Sequence, residues 1–258
     1  MRRLLILSLL MGGCAATETH RSESAAPVST PAPMAVPNHT TTIGYSVQRR
    51  PIELHQLGGD VTRPVLIMGA IHGDEQTSAA VAAGMLDYLT KHPESMRDTP
   101  VAIITMANPD GYAAGTRVNA NHIDLNRNFP ATNWSSRSAG RARRNFGGAA
   151  SASEPETLAL MQTIERLQPR LIVSIHSMEK PCNNYDGPAQ AVAETMARHN
   201  GYPATPTIGY PTPGSLGSWA GIDRQIPMIT LELPRKLPGD QAWQNNRDAI
   251  LAAIAMVR

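Results

Sequence analysis

Val65-Leu-Ile-Met-Gly-Ala-Ile-His-Gly-Asp-Glu75, continuing into Gln76-Thr-Ser-Ala-Ala-Val-Ala-Ala-Gly-Met-Leu-Asp-Tyr-Leu89, carries the information from which the fold is read. Val65 to Ala70 is a short apolar run without alternation, which suits a strand buried on both faces. Thr77 to Leu89 has apolar residues at spacings of three and four, the period of a helix with one buried face. Working outward, the same strand signal recurs at Val101 to Ala107, Leu171 to Ile175 and Met228 to Leu233. The helical period recurs at Glu154 to Leu167, Ala189 to His199 and Gln241 to Met256, with Ser153 and Glu156 reading as a capping box. Strands alternating with helices predict an α/β fold, a three-layer sandwich around a mixed, mostly parallel sheet.

The polar residues fall where such a sheet delivers them. His72 and Glu75 follow the first strand, Asn108-Pro-Asp-Gly111 the second, His176 ends the third, and Glu232 lies near the end of the fourth. In open α/β sheets the crevice outside the strand carboxyl ends is the usual ligand site, so these groups are expected to converge. A histidine and a glutamate three apart, with Gly73 permitting the turn, can point at one centre. With His176 they make the two-His, one-Glu set that catalytic zinc commonly takes, leaving one position open. Of the other histidines, His20, His39, His92 and His199 read as solvated. The alternation in Met228-Ile-Thr-Leu-Glu-Leu-Pro234 puts Met228, Thr230 and Glu232 on one face of an apolar strand. A buried carboxylate is costly unless something uses it, as a catalytic group or in an ion pair with an arginine.

Composition limits the alternatives. The chain has 258 residues, 41% of them apolar, which suffices for one core of ordinary size. Lys and Arg (23) nearly balance Asp and Glu (21), and no basic stripe calls for nucleic acid as a partner. Cys14 and Cys182 are the only cysteines, so neither a disulfide framework nor a cysteine-rich metal cluster is expected, and Cys182 reads as a free thiol. Arg2 and Arg3, the apolar run Leu4 to Met11 and Gly12-Gly13-Cys14 resemble a bacterial lipoprotein signal, with Cys14 as the lipidation site. Residues 15–40 are Ala, Ser, Thr or Pro at 17 of 26 positions and read as a disordered tether. A coil of that length reaches on the order of 30 Å. The catalytic domain is therefore expected over 41–258, exported to the periplasm and lipid-anchored to a bacterial membrane, in preference the outer one. Arg137, Arg141, Arg143 and Arg144 read as a solvated basic loop.

One further cluster gives the reading its specificity. Arg117, Arg127 and four asparagines lie within twelve residues of Gly115 to Pro130, a density of fork-shaped donors and amides suited to carboxylate and carbonyl oxygens. His72-x-x-Glu75, Asn108-Pro-Asp-Gly111, Asp124-Leu-Asn-Arg-Asn-Phe-Pro130, Ser174-Ile-His-Ser177 and Thr230-Leu-Glu232 together resemble the zinc carboxypeptidases, over about Val65 to Pro234. Within that family, Arg117 to Trp134, Ser153-Glu-Pro-Glu-Thr157 and Gly209-Tyr-Pro-Thr-Pro-Gly-Ser-Leu-Gly-Ser-Trp219 are similar to the branch that cuts murein peptides.

The resemblance implies a carboxypeptidase-like fold and one zinc ion per chain, held by His72, Glu75 and His176. It implies Glu232 as general base and then acid, Arg117 as the group that polarises the scissile carbonyl, Asn126 and Arg127 as binders of the substrate's terminal carboxylate, and Tyr210 as a mobile cover. Gly217 falls where carboxypeptidases set side-chain preference, and a small residue there would admit a long polar side chain. The implied reaction is zinc-dependent hydrolysis of the amide between γ-D-glutamate and meso-diaminopimelate in murein peptides. A carboxypeptidase trimming murein tetrapeptides, an N-acyl amino acid deacylase and a non-catalytic murein-binding lipoprotein are the competing readings.

Overall fold

Four apolar runs become the centre of one eight-stranded sheet in the computed structural model, which describes residues 39–59, 62–136 and 146–257. The strands are β1 (His39–Tyr45), β2 (Pro51–Leu57), β3 (Val65–Met68), β4 (Val101–Ile104), β5 (Leu171–Met178), β6 (Cys182–Asp186), β7 (Ala204–Thr205) and β8 (Met228–Pro234). Their order across the sheet is β1-β2-β4-β3-β5-β8-β6-β7. The middle four, β4-β3-β5-β8, run parallel, while β2 joins β4, and β6 joins β8, in antiparallel pairs. Every residue of β3 and β4 is buried, the signature of strands covered on both faces.

Alternate residues of these strands feed two cores. Val65, Ile67, Val173, Ile175, Ile229 and Leu231 face α1 (Gln76–Lys91), α4 (Gln190–Asn200) and α5 (Gly239–Met256), whose buried residues recur at spacings of three and four. Leu66, Met68, Ile172 and Met228 face the other layer, built from α3 (Pro155–Leu167) and irregular segments around Phe129 and Trp219. The expected three-layer α/β sandwich is the observed one. A short helix, α2 (Pro109–Ala114), follows β4; Asn108 caps it by accepting from Gly111 N at 2.9 Å, with Pro109 at its first position.

Several local expectations change. β1 begins at His39, inside the stretch read as a tether, and both β1 and β2 are strands that the sequence reading did not assign. β1 buries no residue fully, so it has no apolar period to read. The capping box at α3 does not form: Glu154 is the residue before the helix, and Ser153 Oγ instead donates to the Glu154 carboxylate at 2.7 Å. Glu156, its expected partner, is buried and accepts from Val47 N and Asn119 Nδ2. Among the described residues no helix is long and apolar enough to cross a membrane. Arg2 to Cys14, the tether as far as Asn38, and the arginines from Arg137 to Arg144 lie outside the described residues.

Burial gives this architecture a direct test. Ile172→Ala empties a fully buried position under the second core and is expected to cost about 2–5 kcal/mol. Leu158→Ala, on the exposed side of α3, is expected to change stability by less than about 0.5 kcal/mol. Urea unfolding of the two variants beside the parent protein checks the pair.

Candidate active site

The chain leaves β3 through Ala70, in the left-handed region at φ 51°, and enters α1 through a turn that places His72 and Glu75 side by side. Ser78 locks this turn, donating from Oγ to the Glu75 carbonyl at 2.6 Å while accepting from Ala70 N at 2.9 Å. Gly73 is required here for a different reason than the turn itself. A Cβ at this position would lie 1.9 Å from the Gly111 carbonyl carbon, so the absent side chain lets the turn press against α2.

His176 arrives from β5, and the three expected ligands meet. His72 Nδ1 lies 3.0 Å from Glu75 Oε1 and 3.1 Å from His176 Nδ1, which is itself 3.1 Å from Glu75 Oε2. All three residues are buried. Ligand atoms about 2.05 Å from a tetrahedral centre stand about 3.3 Å apart, so a zinc ion fits this triangle. Two imidazole nitrogens facing each other in a dry site need a cation or a shared proton between them. Burial opposes charge on Glu75, but His72 and His176 outweigh it and hold the carboxyl well below the usual range. Ser177 N also donates to Glu75 Oε2 at 3.0 Å.

Asp124, which the sequence reading quoted within a motif but gave no role, stands behind this triangle. It accepts from Arg117 Nε at 3.0 Å and from Asn126 N at 3.0 Å, and pairs with His72 Nε2 at 3.1 Å. The last contact leaves Nδ1 of His72 as the nitrogen that faces the metal position. Asp124 is fully buried; burial alone would raise its pKa, and His72 and Arg117 hold it far below the usual carboxylate range. Arg117 reaches across the same gap, with Nη1 3.2 Å from His72 Nδ1 and 3.4 Å from Glu75 Oε1.

Glu232 is the in-register neighbour of His176 on the adjacent parallel strand, about 4.8 Å away across the sheet. Its carboxylate makes no hydrogen bond or ion pair among the described residues, so the alternative use in an arginine pair is not taken up. Burial raises its pKa to about 7; Glu75 adds to that effect, while His176, Arg117 and Arg235 oppose it. It is thus a carboxyl that can exchange a proton near neutrality. Cys182 lies across from Glu232 on β6; it is free, buried, and pushed up to about 11 by burial and by that carboxylate.

One cavity is lined by all eight side chains singled out as metal, catalytic or binding groups: His72, Glu75, Arg117, Asn126, Arg127, His176, Tyr210 and Glu232. Arg127 is buried, its Nη1 donates to Asn126 O at 2.6 Å, and its Nε has no partner among the described residues. Burial lowers the pKa of this guanidinium, as does Arg117, so an anion at this position is favoured. Asn126 accepts from Leu216 N through Oδ1 at 2.8 Å, which leaves its Nδ2 for a ligand. The other three asparagines of the cluster hold the loop in place. Asn119 and Asn121 donate to Glu154, and Asn128 donates to Gly147 O, Ala150 O and Ser153 Oγ. Tyr210 is half exposed at the rim.

Known proteins carry the same pattern. The family profile for zinc carboxypeptidase matches residues 34–207. Murein peptide amidase A of Escherichia coli (strain K12) is 38% identical over 179 residues, covering 66% of this chain and 70% of that protein. Murein peptide amidase A of Vibrio campbellii (strain ATCC BAA-1116) is 34% identical over 224 residues, covering 83% and 86%. The crystal structure of murein-tripeptide amidase from Escherichia coli O157 superposes with a TM-score of 0.68 at 30% identity, over 86% of this chain and 93% of that one.

The position of Asp124 predicts its effect. Asp124→Asn keeps the shape but weakens the support of His72, and zinc affinity measured by chelator competition is expected to fall about 10- to 100-fold. An unchanged affinity would show that Asp124 serves the fold alone.

Proposed function

The chain belongs to the zinc carboxypeptidase family, and from that premise we propose that it hydrolyses the amide between γ-D-glutamate and meso-diaminopimelate in murein peptides, with one zinc ion per chain. The observation that carries this reading is the Glu232 carboxylate, unpaired among the described residues and in register with His176, in the cavity that also holds a buried arginine whose Nε has no partner among them. Zinc bound by His72, Glu75 and His176 supplies a Lewis acid that makes water acidic and polarises a carbonyl.

The protein's own groups do the rest. Arg127 and Asn126 take the free carboxylate of the leaving residue, which fixes the neighbouring amide for attack. Glu232 accepts the proton of the attacking water and then delivers it to the nitrogen of the leaving amine. Arg117 donates to the carbonyl oxygen as negative charge gathers there. Tyr210 covers the bound peptide from the rim. Because recognition starts from a carboxylate, the enzyme reads chain ends.

Arg2-Arg3, the apolar run after them and Gly12-Gly13-Cys14 support export and a lipid anchor at Cys14, which brings the enzyme to murein or its fragments. Cys14→Ser is expected to move the protein from the membrane to the soluble fraction on cell fractionation.

Mass spectrometry of zinc-loaded protein with L-Ala-γ-D-Glu-meso-diaminopimelate tests the reaction. Free diaminopimelate and the dipeptide are expected, at a kcat at least about 10²-fold lower for Glu232→Gln with zinc content unchanged. The same peptide ending in a carboxamide is expected to be cut at least about tenfold more slowly. Release of D-alanine from the tetrapeptide, with the tripeptide left intact, would replace the amidase reading by a trimming carboxypeptidase.

A further inference from the structure

The edge of the sheet opposite the zinc site, where the parallel strands begin, carries a second concentration of polar groups. One row of neighbours crosses the sheet from β1 to β8 near this amino edge: His39 pairs with Gln56, Gln56 with Ala102, Ala102 with Leu66, Leu66 with Ile172 and Ile172 with Met228. His176 and Glu232 lie four residues further along their strands, about 13 Å from that row. His39, the first described residue, therefore enters the sheet on the side away from the catalytic cavity.

An open cavity of about 590 Å³ lies at the amino edge, where the chain approaches β3, β5 and β8. Arg63, Arg170 and Arg224 line it, together with Gln168, Gln225 and one acid, Glu165. Backbone bonds tie the three segments: Arg63 N donates to Leu167 O at 3.2 Å, Arg170 N to Pro64 O at 3.0 Å and Ile172 N to Pro227 O at 2.9 Å. The guanidinium groups meet neutral oxygens only. Arg170 donates to Arg63 O and Val257 O, and Arg224 donates to Trp219 O while its guanidinium carbon stands 3.9 Å over the Trp219 ring. None of the three forms an ion pair among the described residues. Asp223, adjacent to Arg224 in the chain, accepts from Thr132 N instead, at 2.7 Å.

Two exposed apolar side chains flank these arginines. Ile222 closes the π-helical turn Gly217–Ile222, and its carbonyl accepts from Gln225 Nε2 at 2.7 Å. Met256 ends α5 beside Val257, whose carbonyl Arg170 reaches. Guanidinium groups without acidic partners, bordered by exposed apolar side chains, suit the boundary of a bilayer, where phosphate overlies hydrocarbon. A phosphodiester is an anion that these forks fit. The chain gives the reason to choose a lipid over a soluble phosphate. Cys14, the proposed acylation site, is joined to His39 by residues 15–38, and a chain of that length reaches on the order of 30 Å.

We propose that the amino edge of the sheet docks on anionic phospholipid headgroups through Arg63, Arg170 and Arg224, with Ile222 and Met256 at the hydrocarbon boundary, and so holds the zinc cavity facing away from the bilayer. The proposal rests on the anchor at Cys14 for its setting and is independent of which bond is cleaved. Each arginine contributes about a fivefold gain in partitioning to an anionic surface. That is enough to orient an anchored protein and too little to retain one without its anchor.

The test uses the protein as the cell processes it, reconstituted in or added to phosphatidylcholine vesicles with or without phosphatidylglycerol, all containing a lipid spin-labelled on its headgroup. A fluorophore is placed at Met256→Cys, on the docking edge, or at Leu158→Cys, exposed near the start of α3 toward the catalytic edge; Cys182 is buried and does not compete for the label. With phosphatidylglycerol present, the Met256→Cys label is expected to be quenched at least about threefold more than the Leu158→Cys label, a difference that falls as salt is raised. The Arg63 side chain makes no hydrogen bond among the described residues, so Arg63→Gln spares the fold. It is expected to lower the ratio of docked to undocked protein about fivefold, and Arg63→Gln with Arg224→Gln to lower it further, while hydrolysis of a soluble murein tripeptide is unchanged. Arg63→Lys is expected to retain most of the docking. Equal quenching of the two labels, or quenching at Met256→Cys that ignores phosphatidylglycerol or survives the loss of both arginines, would overturn the docking face whatever Cys14 carries. A protein without lipid that still shows the same charge-dependent quenching would overturn the anchor and keep the face. Sedimentation with purified murein in place of vesicles, lost in the same variants, would overturn the proposal and assign the arginines to the wall polymer.

Discussion

Two imidazole nitrogens and a carboxylate, buried within about 3 Å of one another, constrain everything around them. Such a cluster is stable only with a cation or proton at its centre, and it forms only if two segments 101 residues apart are held to within a fraction of an ångström. The parallel register of β3 and β5 supplies that alignment, because it sets Met68, the end of β3, beside Ser174, so that the turn after β3 and the continuing end of β5 deliver His72, Glu75 and His176 to one edge. The next strand in the sheet, β8, then brings Glu232 beside His176 without any further device.

Polar residues around this centre divide by whether the protein itself satisfies them. Asp124, Asn119, Asn121 and Asn128 spend their hydrogen bonds on the fold, tying the loop after α2 to α3 and to the back of His72. Among the described residues, Glu232, the Nε of Arg127 and the carboxylate of Asp186 are left without partners in one cavity. A protein tolerates groups of this kind where a ligand completes them.

Membership of the zinc carboxypeptidases accounts for the centre but does not by itself choose a substrate. The murein peptide amidases at 34–38% identity narrow the choice, and Gly217 and Gly221 clear the space that Asp186 occupies beside the cavity. Helical glycines are normally unfavourable, by about 1 kcal/mol each relative to alanine. Here each prevents a clash with the same acid.

The amino-acid sequence by itself determined the alternation of strands and helices, the four central strands, and the candidate metal ligands with Glu232. These are local signals: apolar runs, helical spacing, and chemically distinctive side chains at strand ends. Tertiary structure alone decided the rest. β1 and β6 were illegible because an exposed edge strand and a strand of sequence Cys-Asn-Asn-Tyr-Asp carry no apolar period. Among the asparagines of Gly115 to Pro130, sequence could not say that Asn126 faces the cavity while its neighbours brace the loop, since that depends on where α3 and Leu216 approach. Asp186 carried no signal at all. Antiparallel pairing sets this acid on the face of Glu232 and two distant glycines clear the space it occupies, and those are relations between segments far apart in the chain.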